Sequence, residues 1–192
     1  MHVVDIEVGN LRTNCYLVSN ENELIIIDPG DDGKKITKVI KDSKLEPKLC
    51  LLTHGHFDHV LALVEIIKEY QIPLLVNQKD TFLLKESIEF EKIERFIKFV
   101  DKESKVDIGN ATFRVIETPG HTPGSISLYC EKEKAIFVGD LIFAGGFVGR
   151  TDFEYGSELI LNKSIKKVLE FSPATVVYPG HGPSFVLSEW MS

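Results

Sequence analysis

The chain has 192 residues, 43% apolar and 27% charged, with a formal net charge of −7. This balance fits one globular core and excludes a disordered chain. It also excludes nucleic acid or an anionic membrane as a general partner, since either needs a basic footprint, and no apolar run is long enough to span a membrane. The three cysteines, Cys15, Cys50 and Cys130, form an odd, scattered set without a CxxC pair, as expected of reduced, buried thiols. The first residues lack the basic and apolar regions of a secretory signal, so a cytoplasmic protein is expected.

Residues 2–8 and 12–19 read as strands joined by a turn at Gly9-Asn10. Leu24-Ile25-Ile26-Ile27 is a wholly apolar run stopped at Asp28-Pro29-Gly30, which predicts a buried strand. Asp32 is placed to cap a helix carrying Ile36, Val39 and Ile40 inward. Another buried strand is expected from Leu49 to Thr53, then a helix from the spacing of Val60, Leu63, Val64, Ile67 and Tyr70, then a strand over 72–76. Residues 80–100 read as helical in two pieces, the second marked by Ile93, Phe96, Ile97 and Val100. This stretch is a candidate lid or homodimer face, although Phe82, Phe90, Phe96 and Phe99 more often mean core. Strands follow over 111–117, 125–130 and 134–138, then a helix capped by Ser157 with Leu161, Ile165, Val168 and Leu169 inward, and a last strand over 174–178. Both halves contain a buried strand ending in Asp, a helix, and a strand ending near His, which suggests two similar α/β halves facing each other.

The chemistry concentrates in Thr53-His54-Gly55-His56-Phe57-Asp58-His59, three imidazoles and a carboxylate at a strand end. Neutral imidazole and carboxylate suit zinc, iron and manganese. One tetrahedral ion needs four donors, and this cluster alone supplies them. Three further candidates lie downstream: His121 between two Pro-Gly pairs, Asp140 after Phe137-Val138-Gly139, and His181 in Pro179-Gly180-His181-Gly182. Singly, each reads as a turn or cap residue. Together they end predicted buried strands, where α/β folds place ligand sites, and the surplus of donors argues for two divalent ions, zinc first, with iron or manganese as alternatives.

THGHFDH, the isolated His121 and Asp140, and PGHG resemble the signature of the metallo-β-lactamase-fold hydrolases over essentially the whole chain. Within them, TPGHTPGS, GDLIFAGGFVGRTDFEYG and VVYPGHGP are most similar to the glyoxalase II-like (hydroxyacylglutathione hydrolase-like) group. The resemblance implies an αβ/βα four-layer sandwich over 1–192, with metals at one edge of two sheets. It implies His54, His56 and His121 on a first metal, Asp58, His59 and His181 on a second, and Asp140 bridging both. Asp28 would orient a ligand imidazole through its other ring nitrogen. Asp58 and Asp140 are the candidate catalytic carboxylates. The activity implied is hydrolysis of a small-molecule thioester by water whose pKa two divalent ions lower to about 7.

Two departures bear on the substrate. Glyoxalase II carries a C-terminal helical extension that helps bind glutathione, and here eleven residues follow His181; Asp152 stands where glyoxalase II has a glutathione-contacting Tyr. Weak dependence on the thiol portion is therefore expected. Arg150 has two readings, a fork for a substrate carboxylate or a structural partner of Asp152 or Glu154. The rival of the same fold is a mononuclear iron persulfide dioxygenase, which shares a similar GRTDF stretch. A true β-lactamase is disfavoured by the absent export signal and by Asp140 where many lactamases carry Cys. A superfamily nuclease would need a basic face, and a binding module would be expected to have lost ligands.

Overall fold

A computed structural model describes residues 1–190; the last two positions of the expected 1–192 domain lie outside the described residues. The first sheet takes six strands in chain order: β1 (His2–Val8), β2 (Thr13–Asn20), β3 (Glu23–Ile27), β4 (Glu46–Leu51), β5 (Leu74–Val76) and β6 (Ile97–Phe99). β1 to β3 pair antiparallel and β3 to β6 parallel. Next come β7 (Lys105–Ile108), β8 (Ala111–Glu117), β9 (Ile126–Cys130) and β10 (Ala135–Gly139), a small hairpin of β11 (Ile142–Phe143) and β12 (Phe147–Val148), then β13 (Val176–Pro179) and β14 (Phe185–Val186). The second sheet runs β14-β13-β10-β9-β8-β7, and within it β10 and β13 are parallel.

Helices α1 (Gly33–Ser43), α2 (Leu63–Tyr70) and α3 (Thr81–Ser87) belong to the first half, and α4 (Glu158–Leu169) and α5 (Leu187–Trp190) to the second. Three hydrophobic clusters show how the layers stack. Leu24 and Ile26 of β3 join Ile36 and Ile40 of α1 and Leu63, Ile66 and Ile67 of α2. Ile25 and Ile27 of the same strand point the other way, onto Phe113, Val115, Leu128 and Phe137 of the second sheet. Ile136 and Val138 of β10 then meet Leu161, Ile165 and Val168 of α4. The order is helix, sheet, sheet, helix, as expected. An unbroken apolar run in β3 follows directly, because both faces of that strand are covered. The cysteines are buried and free, and burial pushes the Cys15 and Cys50 thiols up.

The two halves share one unit. β3 crosses over through α1 to parallel β4, and β10 through α4 to parallel β13. Ser157 caps α4 by accepting from the Ile160 N–H at 3.4 Å. Asp32 is a correction: it occupies the N-cap position of α1 at φ +51, but its side chain caps nothing and accepts from the Gly9 N–H at 3.1 Å.

Residues 80–100 are also corrected. After α3 the chain makes two 3₁₀ turns, at Phe90–Lys92 and Glu94–Phe96, and enters β6 rather than a second helix. The spacing of Ile93, Phe96, Ile97 and Val100 is met equally by tight turns running into a strand. The open edge of β5 decides between them, since only an extended neighbour satisfies its backbone groups. Phe90 is buried and Phe96 packs on the same core, whereas Phe82 and Phe99 are 37% and 53% exposed and are not core. Strand β7 alternates exposed Lys105 and Asp107 with buried Val106 and Ile108, a pattern that sequence reading passed over.

Phe113 is among the largest fully buried side chains and lies between the sheets. Phe113→Ala should cost about 3–5 kcal/mol, read as a lower urea midpoint; an unchanged midpoint would show that the intersheet layer repacks freely.

Candidate metal centre

The strand ends of both sheets that carry chemistry meet at one edge. β3 delivers Asp28; β4 runs into Thr53 and His54; a 3₁₀ turn, Phe57–His59, carries Asp58 and His59. The loop after β8 carries His121, β10 leads to Asp140, and β13 to His181. An isolated bridge between Thr13 and His181 joins the sheets at this edge.

All seven expected ligands come together. One side-chain donor each from His54, His56 and His121 lie within 4.8 Å of one another, as do those of Asp58, His59 and His181. Asp140 sits between the groups: Oδ1 is 3.5 Å from His59 Nε2, and Oδ2 is 3.5 Å from both His121 Nε2 and His181 Nε2. Asp58 Oδ2 lies 3.3 Å from His181 Nε2 and accepts from the Thr13 hydroxyl at 2.9 Å. Asp28, His54 and His59 form a third close set. The Asp28 oxygens are already engaged, however. Oδ1 accepts from the Thr53 N–H at 2.8 Å, and Oδ2 from the Thr53 hydroxyl at 2.5 Å and from His59 Nδ1 at 2.9 Å. Asp28 therefore orients His59.

Each imidazole is held by its outer nitrogen. His59 uses Asp28, His121 Nδ1 the Arg150 carbonyl at 2.8 Å, and His181 Nδ1 the Leu11 carbonyl at 3.1 Å. Those partners only accept, so each of these nitrogens carries the hydrogen. The Thr53 hydroxyl spends its hydrogen on Asp28 and so accepts from His54 Nδ1 at 3.1 Å. In the neutral rings the lone pairs of His54, His59, His121 and His181 therefore all point inward on Nε2. His56 is turned over: its outer Nε2 meets the Tyr155 hydroxyl at 2.9 Å, and its Nδ1 faces in, 2.8 Å from His121 Nε2. That spacing needs a proton or a cation between the two nitrogens. His54 Nε2, His59 Nε2 and Asp140 Oδ1 are buried with no hydrogen-bond partner. Orphaned buried donor atoms within these close donor sets are what divalent ions would satisfy, and the residues fit such ions.

The electrostatics of the groups differ. Burial, with repulsion from the neighbouring imidazoles, holds His54 well below its ordinary value and His56 down to about 4. Burial also acts to lower His59 and His181, but carboxylates outweigh it: Asp140 and Asp28 hold His59 well above its ordinary value, and Asp140 and Asp58 raise His181 to about 9. Burial would raise Asp140, yet His59, His181 and His54 bring it well below the carboxylate range. The first group thus offers three nitrogen donors, and the second adds anionic oxygen.

Several supporting residues escaped the sequence reading. Asp80, fully buried, accepts from the Gly55 N–H at 2.9 Å, the Gly124 N–H at 2.6 Å and the Thr122 hydroxyl at 2.6 Å. It therefore ties the His54–His56 loop to the His121 loop; burial raises its pKa despite those donors. The Asn14 side chain donates to the Pro179 and Gly182 carbonyls at 3.1 and 2.7 Å, and the Tyr16 hydroxyl donates to Pro179 at 2.6 Å, fixing the His181 loop. Polar residues inside strands or turns give these roles no local signature; only the burial of Asn14 within β2, a strand otherwise closed on both faces, hints at one.

A cavity of about 500 Å³ opens onto His56, Asp58, His121, Asp140 and His181. Arg150 reaches its rim, where Asp152 accepts from its guanidinium at 2.9 and 2.8 Å. Of the two roles expected for Arg150, the pair with Asp152 is the one seen. Residues 80–100 do not line the cavity; Phe82 instead sets its ring edge against Tyr155, which does.

The metallo-beta-lactamase superfamily model matches residues 8–181. The probable metallo-hydrolase YqgX of Bacillus subtilis is 35% identical, covering 92% of this chain and 88% of its own. The hydroxyacylglutathione hydrolase GloC of Haemophilus influenzae is 32% identical over 95% and 91%. Among solved structures, the BLEG-1 B3 metallo-beta-lactamase superposes with a TM-score of 0.88 at 34% identity, covering 99% of this chain and 96% of its own. TTHA1623 in a di-iron-bound form gives 0.87 at 31% over 97% and 96%. ETHE1 from Myxococcus xanthus gives 0.81 at 24% over 98% and 81%, a likeness of fold.

Two outcomes follow from this geometry. Asp80→Ala strands three buried donors and should cost roughly 3 kcal/mol or more, since hydrogen bonds to charged groups contribute about 1.5–3 kcal/mol each; urea unfolding measures it. A Cβ at Gly180 would overlap Asp140 Oδ1 and crowd His59 Cε1. Gly180→Ala should therefore weaken zinc binding by ~10-fold or more in calorimetry, and parental affinity would show that Asp140 does not serve the ions.

Proposed function

Since this chain belongs to the metallo-beta-lactamase superfamily, we propose that it is a metal-dependent hydrolase of thioesters, hydroxyacylglutathione hydrolase-like, working with two divalent ions. The observation that carries the reading is the convergence of seven donors, five of them imidazoles whose outer nitrogens are tied down. His54, His56 and His121 would hold the first ion, Asp58, His59 and His181 the second, and Asp140 both. The likeness to GloC supports the thioester reading, and the di-iron form of TTHA1623 supports a two-ion site. Zinc is the first choice for this donor set, and iron the second.

When bound, the ions supply Lewis acidity at the carbonyl oxygen and bring the pKa of water to about 7. The chain's own groups do the rest. Asp58 and Asp140 both border the cavity, so a thioester carbonyl entering it meets their carboxylates. Asp58, steadied by the Thr13 hydroxyl, is placed to accept the proton of the attacking water. A C–O bond forms as the C–S bond breaks, giving a carboxylic acid and a thiol whose sulfur takes up a proton. Thiolate is a good leaving group, so no strong acid need face the sulfur.

One observation favours a second reading. Imidazoles of the first group together with Asp140, whose Oδ2 lies 3.5 Å from His121 Nε2, offer the two-histidine, one-carboxylate set that suits a single iron, as a persulfide dioxygenase would need. Metal analysis separates the two. The hydrolase reading expects two ions per chain, with His54→Ala losing the first and His181→Ala the second, and thioester hydrolysis falling by ~10²-fold or more in each. Asp140→Ala should cost more than either. One iron per chain, untouched by His181→Ala, together with oxygen uptake on glutathione persulfide, would establish the alternative.

A further inference from the structure

The floor of the cavity is polar, but its walls are not. Leu11, Phe57, Phe143, Val148 and Phe153 line it. They come from four separate places: the β1–β2 turn, the 3₁₀ turn after His56, the β11–β12 hairpin, and the loop before α4. Leu11, Phe57 and Val148 are 54%, 52% and 45% exposed. Apolar side chains converging from independent segments around a polar floor mark a ligand surface rather than stray exposure.

The charge of the lining agrees. Arg150 is the single Lys or Arg among the lining residues. Its guanidinium is bound twice by Asp152 and lies 5.1 Å from the centre of the Phe153 ring. A glutathione-type thiol brings two carboxylates, and each seeks an unpaired cation. Seating one on Arg150 would require opening the Asp152 pair.

We infer that this cavity selects thioesters carrying an uncharged, apolar chain next to the sulfur or the carbonyl. The inference rests on the thioester reading and deepens it. With the carbonyl on the floor, a chain attached beside it meets the apolar walls, and removing that chain from water supplies the selectivity.

The test uses the zinc-loaded protein. One set of thioesters keeps a small neutral thiol and lengthens a straight acyl chain from two to eight carbons, with succinyl as a charged member. A second set keeps acetyl and varies the thiol from butyl to glutathione. The kcat/KM should rise about three- to fourfold per added methylene until the walls are covered, and the charged members should fall well below apolar ones of equal length. Whichever set shows the rise identifies the side of the thioester that the walls hold. Phe143→Ala and Val148→Ser should flatten that rise. A flat series, or glutathione and succinyl esters as the best substrates, would overturn the inference. Calorimetry with non-hydrolysable alkyl thioethers, read in parallel, separates the two layers. Chain-length-dependent binding without turnover of any thioester would keep the apolar site and remove the thioester reading. Absence of binding would remove the apolar site.

Discussion

The Asp28 carboxylate is the constraint on which the metal edge depends. It ends β3 in a left-handed conformation, at φ +51, where the strand can no longer continue. From there its two oxygens take the backbone and hydroxyl of Thr53 and the ring of His59. Three pieces of chain are thereby locked: the end of β3, the end of β4, and the 3₁₀ turn. Thr53, its donor spent, can only accept from His54, so one buried carboxylate decides the orientation of two imidazole rings. Removing it would leave buried donors without partners, which costs more than any single hydrogen bond contributes.

The same device appears in other chemistry elsewhere in the site. Carbonyls of Arg150 and Leu11 fix His121 and His181, a phenol meets His56, and Asp80 and Asn14 hold the loops on which these residues ride. The candidate donors are imidazole and carboxylate, and the aim of the imidazoles is set by groups outside the donor set. Two similar crossover units supply the frame, one ending at His54 and the other at His181. Their outer helices bury apolar faces against the two sheets, so the ligand edge is left to the loops.

Much of this was legible in the residues alone. Doubly buried strands announce themselves as unbroken apolar runs, as in Ile25-Ile26-Ile27, and ligands for hard and borderline ions announce themselves by dense His and Asp spacing. The four-layer order and the gathering of all seven candidates matched the expectation. What the sequence hid was decided by partners distant in the chain. Ile97-Lys98-Phe99 becomes a strand because β5 offers an open edge, not because of its own periodicity. Asp32 turned to Gly9 instead of capping its helix, because the turn between β1 and β2 brought a free N–H within reach. Asp80 looks like any polar residue before a helix; its work is visible only once Gly55 and Gly124 arrive beside it.

The clasp between Asn14 and the loop at Gly182 spans 168 residues, nearly the length of the chain. Short-range contacts cannot close such a loop early, because the entropy of bringing its ends together must be met before any contact rewards it. The His181 loop reaches its place only when the first strands and the last have found each other. A nascent chain emerging from synthesis holds the His54 cluster long before it holds His181. The seven candidate donors therefore come together only once the two halves have docked.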